Sequence, residues 1–185
     1  MQLSKAEIDL LFEIARESIR GSDKFIEQFS SQIPNEGALI LPAAVFVTLF
    51  NSGELRGCIG QTTARFPLWE AVGHIAHKAA TQDSRFPPVQ LSELPDLQME
   101  ISILSDPVLV ESPDDIQIGR DGLIIEAKDR RGLLLPQVAE ERGWDVTTFL
   151  GQTCRKAGLP PDAWKEEPGV VIQRFEAIRF KEESP

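Results

Sequence analysis

Two cysteines, two histidines and no long apolar run are the scarcities that narrow this 185-residue sequence. With only Cys58 and Cys154, far apart in the chain, a disulfide framework is excluded and a reducing compartment is expected. A single Cys58–Cys154 bridge stays open. No run of about 18 apolar residues exists, so no membrane span is expected. No basic stretch leads into an apolar core at the start, so no secretory signal is expected and the cytoplasm is the expected location. Basic residues are in the minority: 19 Lys and Arg face 29 Asp and Glu, a net charge of -10. Such a chain repels phosphate backbones, and nucleic acid is not an expected partner. No Lys/Arg run exceeds a pair, and Arg130-Arg131 reads as a solvated turn between two apolar strands. A glycine-rich phosphate loop, a GxSxG elbow and a CxxC motif are all missing, so no nucleotide cofactor is indicated.

What is present is an ordinary globular composition, 42% hydrophobic and 26% charged. The length suits one large domain or two small subdomains. Only Lys181 to Pro185 read as disordered. Ser4-Lys5-Ala6-Glu7 is a capping box, with Leu3 and Ile8 as its hydrophobic staple, and Gly21 ends the helix it opens. Residues 22–42 are mixed, with Pro34, Gly37 and Pro42 marking loops. The run from Ala44 to Phe50 is apolar on both alternating sets, as a strand covered on both faces would be. Asn51 to Glu54 turns it into a second strand, Leu55 to Gly60.

Residues 66–82 predict a helix with Leu68, Val72, Ile75, Ala76 and Ala79 on one face. Leu97, Met99, Ile101 and Ile103 alternate with polar residues, as in a strand. Residues 106–119 are a polar connection and the candidate subdomain boundary within a single domain over 1–185. Short strands follow at Leu123 to Ala127 and Leu133 to Leu135, then helices opened by Pro136 and Asp145, the latter ending at Gly158. Val170 to Phe180 supplies a terminal strand. Interspersed helices and hairpins predict an α+β fold with mainly antiparallel sheets.

The most informative stretch is Leu55-Arg56-Gly57-Cys58-Ile59-Gly60. Side chains alternate along a strand, so Arg56 and Cys58 point one way. A guanidinium beside a thiol favours the thiolate, and glycines in a strand mark a bulge or a close backbone approach. The functional reading is therefore a nucleophilic or redox-active Cys58 beside Arg56, on a strand left open by Gly57 and Gly60. The alternative is that Cys58 packs as a small hydrophobe and Arg56 pairs with a carboxylate. Cys154 flanks an apolar helix face and reads as core.

His74 and His77, with Glu70, lie near one another on the 66–82 helix, opposite its apolar face. They read as a solvated cluster without a third strong ligand, and no metal site is expected. Asp83, Arg85 and Phe86 either present Arg85 to an anionic group or form an ion pair with an aromatic anchor. Glu100 and Ser102 share one strand face. If that strand lies beside the hairpin, Glu100 contacts Arg56 or Arg85 as a general base or a structural partner.

These residues resemble the AMMECR family, in microbes also called AmmeMemoRadiSam system protein A. The LRGCIG stretch resembles its signature. Further blocks are Phe46-Val47-Thr48-Leu49, Asp83-Ser84-Arg85-Phe86-Pro87-Pro88, Glu100-Ile101-Ser102-Ile103-Leu104-Ser105, Gly132 to Val138, Trp144 and Lys156-Ala157-Gly158-Leu159. The resemblance implies two subdomains sharing a groove lined by the signature strand and the Arg85 loop. It also implies work beside a Memo-like protein and a radical SAM protein, and it names no cofactor.

Two functions are carried forward. In the first, an enzyme uses Cys58, Arg56 and Glu100 for catalysis, with Arg85, Gly57, Gly60 and Ser102 binding substrate. In the second, the chain is a protein- or peptide-binding module with a structural cysteine.

Overall fold

Helix α1 (Lys5–Gly21) begins where the capping box places it, with the Glu7 carboxylate accepting from the Ser4 amide at 2.8 Å. The computed structural model describes residues 2–21, 24–166 and 168–182. Helix α2 (Lys24–Phe29) follows in the stretch of mixed pattern; six residues are too few for a periodic signal. The hairpin is β1 (Ala44–Asn51) and β2 (Glu54–Gln61), and its register pairs Thr48 with Cys58. Helix α3 (Leu68–Thr81) leads through a short 3₁₀ turn, Leu91–Asp96, to β3 (Leu97–Leu104).

The chain from Leu104 to Ala177 forms a second compact unit; everything before it, with the chain from Ile178 onward, forms the first. The 106–119 connection thus lies within the second unit, where it carries β4 (Val108–Leu109). The rest of that unit is β5 (Asp121–Ala127), β6 (Arg130–Leu134), α4 (Pro136–Glu141), α5 (Val146–Lys156), α6 (Ala163–Glu166) and the first part of β7 (Val171–Lys181). The strand pairs β1–β2, β4–β7, β5–β6 and β5–β7 are all antiparallel, so the architecture is α+β.

Each unit has its own core. In the first, Val45, Val47, Leu49, Met99 and Ile101 meet Leu11, Ile14, Ala15, Leu68 and Val72 from α1 and α3. In the second, Leu123 and Ile125 meet Phe149, Leu150 and the fully buried Cys154. Cys58 and Cys154 are not joined in a disulfide.

Three expectations are corrected. Arg130 and Arg131 are not a turn. They open β6, where Arg131 pairs with Glu126 and Arg130 donates to the Gly158 carbonyl at 2.9 Å. The reversal is the tighter Lys128–Asp129 pair, with Lys128 at φ 56°. Lys181 is not a disordered tail but the last residue of β7, and Glu182 beyond it is gripped by the Arg16 fork at 2.7 Å. The rest of that expected tail, 183–185, lies outside the described residues.

His74 and His77 are not a solvated face. His74 meets the ring of Phe25 edge-on at a centroid distance of 5.4 Å and tilts against Phe66 at 5.0 Å. The His77 Nδ1 lies 3.1 Å from the Ser18 carbonyl oxygen. Helices α1 and α2 therefore pack on the side of α3 that the helical wheel left to water. Gly73 makes room for this: a Cβ there would stand 2.3 Å from the Phe25 ring.

Candidate functional site

Every residue singled out around the signature belongs to the first unit. In that unit the strand order is β2-β1-β3-β7, so β2 is the outermost strand. Gly57 pairs with the core residue Leu49 and Ile59 packs on the same core, while a register shift beyond Leu49 leaves Arg56 without a partner on β1 and sets Leu55 opposite Phe50. Gly57 lies so close to the end of α3 that an added Cβ would stand 2.3 Å from the Ala79 carbonyl oxygen. Gly60, on the other face, is roofed by Phe46, whose ring a Cβ would meet at 2.2 Å. Both glycines are thus explained by close approach within the fold.

Cys58 sits opposite Thr48 on the face away from the helices, and its Sγ is 3.2 Å from the Thr48 Oγ1. Its backbone turns outward, and the loop after α3 closes over that open edge. The Cys58 N–H donates to Asp83 Oδ2 at 2.8 Å, and Arg85 Nη2 donates to the Cys58 carbonyl at 3.3 Å. An outermost strand left bare invites pairing with another chain, and this loop satisfies both groups at Cys58.

Asp83 is the hub. Besides the Cys58 amide it accepts from the Arg85 amide at 3.1 Å and from the Arg85 fork at 2.9 and 2.6 Å. The Arg85 guanidinium, followed by the two backbone amides, holds the Asp83 carboxyl far below the usual carboxylate range against the opposing effect of burial. Arg85 keeps 54% of its side chain exposed while Asp83 keeps 6%, so the loop presents the cation and hides the anion.

Arg56 is engaged by a carboxylate and a carbonyl. Its fork closes on Glu93, Nε to Oε2 at 2.7 Å and Nη2 to Oε1 at 2.9 Å, and its Nη1 donates to the Pro87 carbonyl at 2.9 Å. Glu93 also accepts from the Gln90 amide at 2.7 Å. The Arg56 fork, then the Gln90 amide, hold the Glu93 carboxyl below its ordinary value.

Glu100 does not meet Arg56 or Arg85. Strand β1 separates β3 from β2, and the carboxylate of Glu100, 8% exposed, lies 3.7 Å from the Lys181 ammonium instead. Ser102 is buried on the same strand. Because Leu97, Met99, Ile101 and Ile103 belong to the helix-packed core, Gln98, Glu100 and Ser102 share the opposite face with Thr48 and Cys58. A cleft of about 380 Å³ opens there, lined by Phe50, Gly53, Gln98, Met99, Glu100, Lys181 and Glu182.

Sequence reasoning missed Thr48, Glu93 and Lys181 as partners. Thr48 was within reach, since pairing the two hairpin strands sets it opposite Cys58. Glu93 is 37 residues from Arg56 and carries no local signal. Among the described residues no group of three His, Cys, Asp or Glu converges as metal ligands would. No helix among them is long and apolar enough to cross a membrane.

The AMMECR1 family model matches residues 12–180. The chain belongs to the AMMECR1 family. A Thermococcus onnurineus protein is 44% identical over 96% of this chain and 91% of its own. One from Methanothermobacter thermautotrophicus is 45% identical over 98% and 97%. The crystal structure of a Pyrococcus horikoshii protein superposes with a TM-score of 0.80 at 41% identity, covering 95% of this chain and 91% of that one. This AMMECR1 chain therefore shares its α+β fold with a solved structure across nearly its whole length.

Proposed function

We propose that this AMMECR1 protein is a protein- or peptide-binding module of the cytoplasm, in which the signature residues build a surface rather than perform a reaction. One observation carries the reading. Both arginine forks around the signature strand are closed on carboxylates, Arg56 on Glu93 and Arg85 on Asp83, while Cys58 faces a hydroxyl and not a base. A nucleophilic thiol needs a base within hydrogen-bond reach or a free cation beside it. Asp83 is held as an anion by four donors and is a poor proton acceptor. The cleft beside Phe50 and Glu100 gives the same sheet face a recess for a ligand side chain. Cysteines not joined in a disulfide fit a reducing compartment. The net charge of -10 speaks against nucleic acid as the occupant. Family resemblance makes the Memo-like protein of the same organism the first partner to try, and the radical SAM protein the second.

Calorimetric titration with the Memo-like protein tests this. Wild type is expected to bind, Cys58→Ser to bind within about 3-fold of it, and Phe50→Ala to lose about 10-fold or more as a truncated anchor does. Absence of binding to either protein, or loss of a newly found activity in Cys58→Ser alone, overturns the reading. The second outcome would favour the enzymatic alternative built on Cys58, Arg56 and Glu100. That alternative draws its support from the half-buried rather than sealed thiol and the exposed half of Arg85.

A further inference from the structure

The first unit has a second recess that involves none of the signature residues. It is a groove of about 570 Å³ between α1 and the end of β7. Its apolar floor is Ile8, Phe12 and Phe180, and it is flanked by the backbone of Arg179 to Glu182. The Glu182 amide donates to the Met99 carbonyl at 2.9 Å, which fixes which β7 groups point at β3. Backbone groups alternate sides along a strand, so those of Phe180 and Ile178 also face β3, and those of Arg179 and Lys181 face away. On that outer side the pairing with β5 stops at Glu176, and among the described residues no strand pairs with β7 beyond it. A row of unpaired strand donors and acceptors along an apolar groove is a template for an added strand.

Side-chain alternation gives the occupant a pattern. Arg179 and Lys181 are exposed on one face, while Phe180 turns toward the core and α1. Among the described residues Arg179 has no ion-pair partner. Lys181 leans on Glu100 at 3.7 Å with 75% of its side chain exposed. Four cationic and three anionic residues line the groove; Lys5, Arg16 and Lys181 already meet Asp9, Glu182 and Glu100, which leaves Arg179 as the cation an acidic side chain would meet. A strand laid against β7 would set its own side chains opposite Arg179 and Lys181 on that face, and the one between them over Ile8 and Phe12. From Lys5 to Arg16 the groove wall of α1 runs about 16 Å, room for about five extended residues. The Arg16 fork on Glu182 closes one end.

We infer that the groove between α1 and the free edge of β7 is a strand-addition site for an extended segment of a partner protein that alternates acidic and apolar residues. It shares Lys181 and Glu182 with the cleft beside Phe50, but Cys58 and Phe50, the positions varied there, lie outside it, so the two readings are tested separately.

The test is fluorescence anisotropy of the full chain with three labelled seven-residue peptides: glutamate alternating with valine, lysine alternating with valine, and the glutamate peptide N-methylated at alternate amides. The glutamate peptide is expected to bind about 10-fold or more tighter than the lysine peptide, with N-methylation in the β7-facing register costing a similar factor. Arg179→Glu, an exposed change whose folding is checked by its melting curve, is expected to reverse the preference. Equal binding of the methylated peptide, an unchanged preference in Arg179→Glu, or no binding by wild type each overturns the inference. So does a dimer in sedimentation that Arg179→Glu dissociates, which would assign the edge to a second copy of the chain.

Discussion

Replacing Asp83 by alanine removes one buried carboxylate that serves the Cys58 amide, the Arg85 amide and the Arg85 fork at once. The consequences are unequal. The Cys58 N–H is left without its acceptor at 2.8 Å on the outermost strand. A hydrogen bond to a charged group contributes about 1.5–3 kcal/mol where water cannot replace it. The Arg85 fork matters less, because that side chain is 54% exposed and water takes over, so it adds about 0–1 kcal/mol. Together these give about 1.5–4 kcal/mol for Asp83→Ala, a fall in Tm of roughly 3–16 °C at this chain length.

Arg85→Ala keeps the amide acceptor and should cost only about 1 kcal/mol. Urea unfolding of the two variants, with m unchanged, measures the contrast. Equal losses, or a larger loss in Arg85→Ala, refute the view that Asp83 chiefly caps the strand edge. The pH dependence has a definite sign. The folded carboxyl titrates far below its unfolded value, so its contribution is fully present above the unfolded pKa of about 3.9 and is lost as pH falls toward the folded one. The gap between wild type and Asp83→Ala should therefore be flat from about pH 5 to 8 and close progressively below about 4.

Gly57→Ala should destabilise by about 2–3 kcal/mol, since its Cβ meets backbone at Ala79; Gly60→Ala should cost about 1 kcal/mol, because the Phe46 ring can swing aside. Thermal melts separate the two, and equal costs would contradict the packing described for α3. Glu93→Gln should leave the Arg56 fork half-satisfied and speed amide exchange in the 83–93 loop without changing Cys154 protection, read by hydrogen exchange and alkylation; no change in that loop would show that the Arg56–Glu93 pair does not hold it.

Much of the scaffold was legible because it is encoded locally. Ser4 and Glu7 mark a helix start, alternation marks β3, and Asp145 and Gly158 bracket α5. Strand alternation predicts Arg56 and Cys58 on one face, but a register shift in the hairpin falls at Arg56, an irregularity the alternation pattern does not carry. What was not legible depends on distant partners. Arg56 is claimed by Glu93, Glu100 by Lys181 and Glu182 by Arg16, across separations that no periodicity spans. Helix α2 escaped notice because its two buried phenylalanines, Phe25 and Phe29, lie on a six-residue segment. Its docking on Gly73 then changed the environment of both histidines. Arg56 and Glu100, expected beside Cys58, are engaged by Glu93 and Lys181, whereas Arg85 reaches the Cys58 carbonyl.

The most direct measurement is the alkylation rate of Cys58 and Cys154 in the folded protein at neutral pH, followed site by site by mass spectrometry beside a glutathione standard. If the signature is architectural, Cys58 reacts no faster than the free thiol and Cys154, fully buried, stays protected until unfolding. If Cys58 reacts about 100-fold faster than the standard, it is an activated nucleophile, and the binding-module reading of this AMMECR1 protein is contradicted.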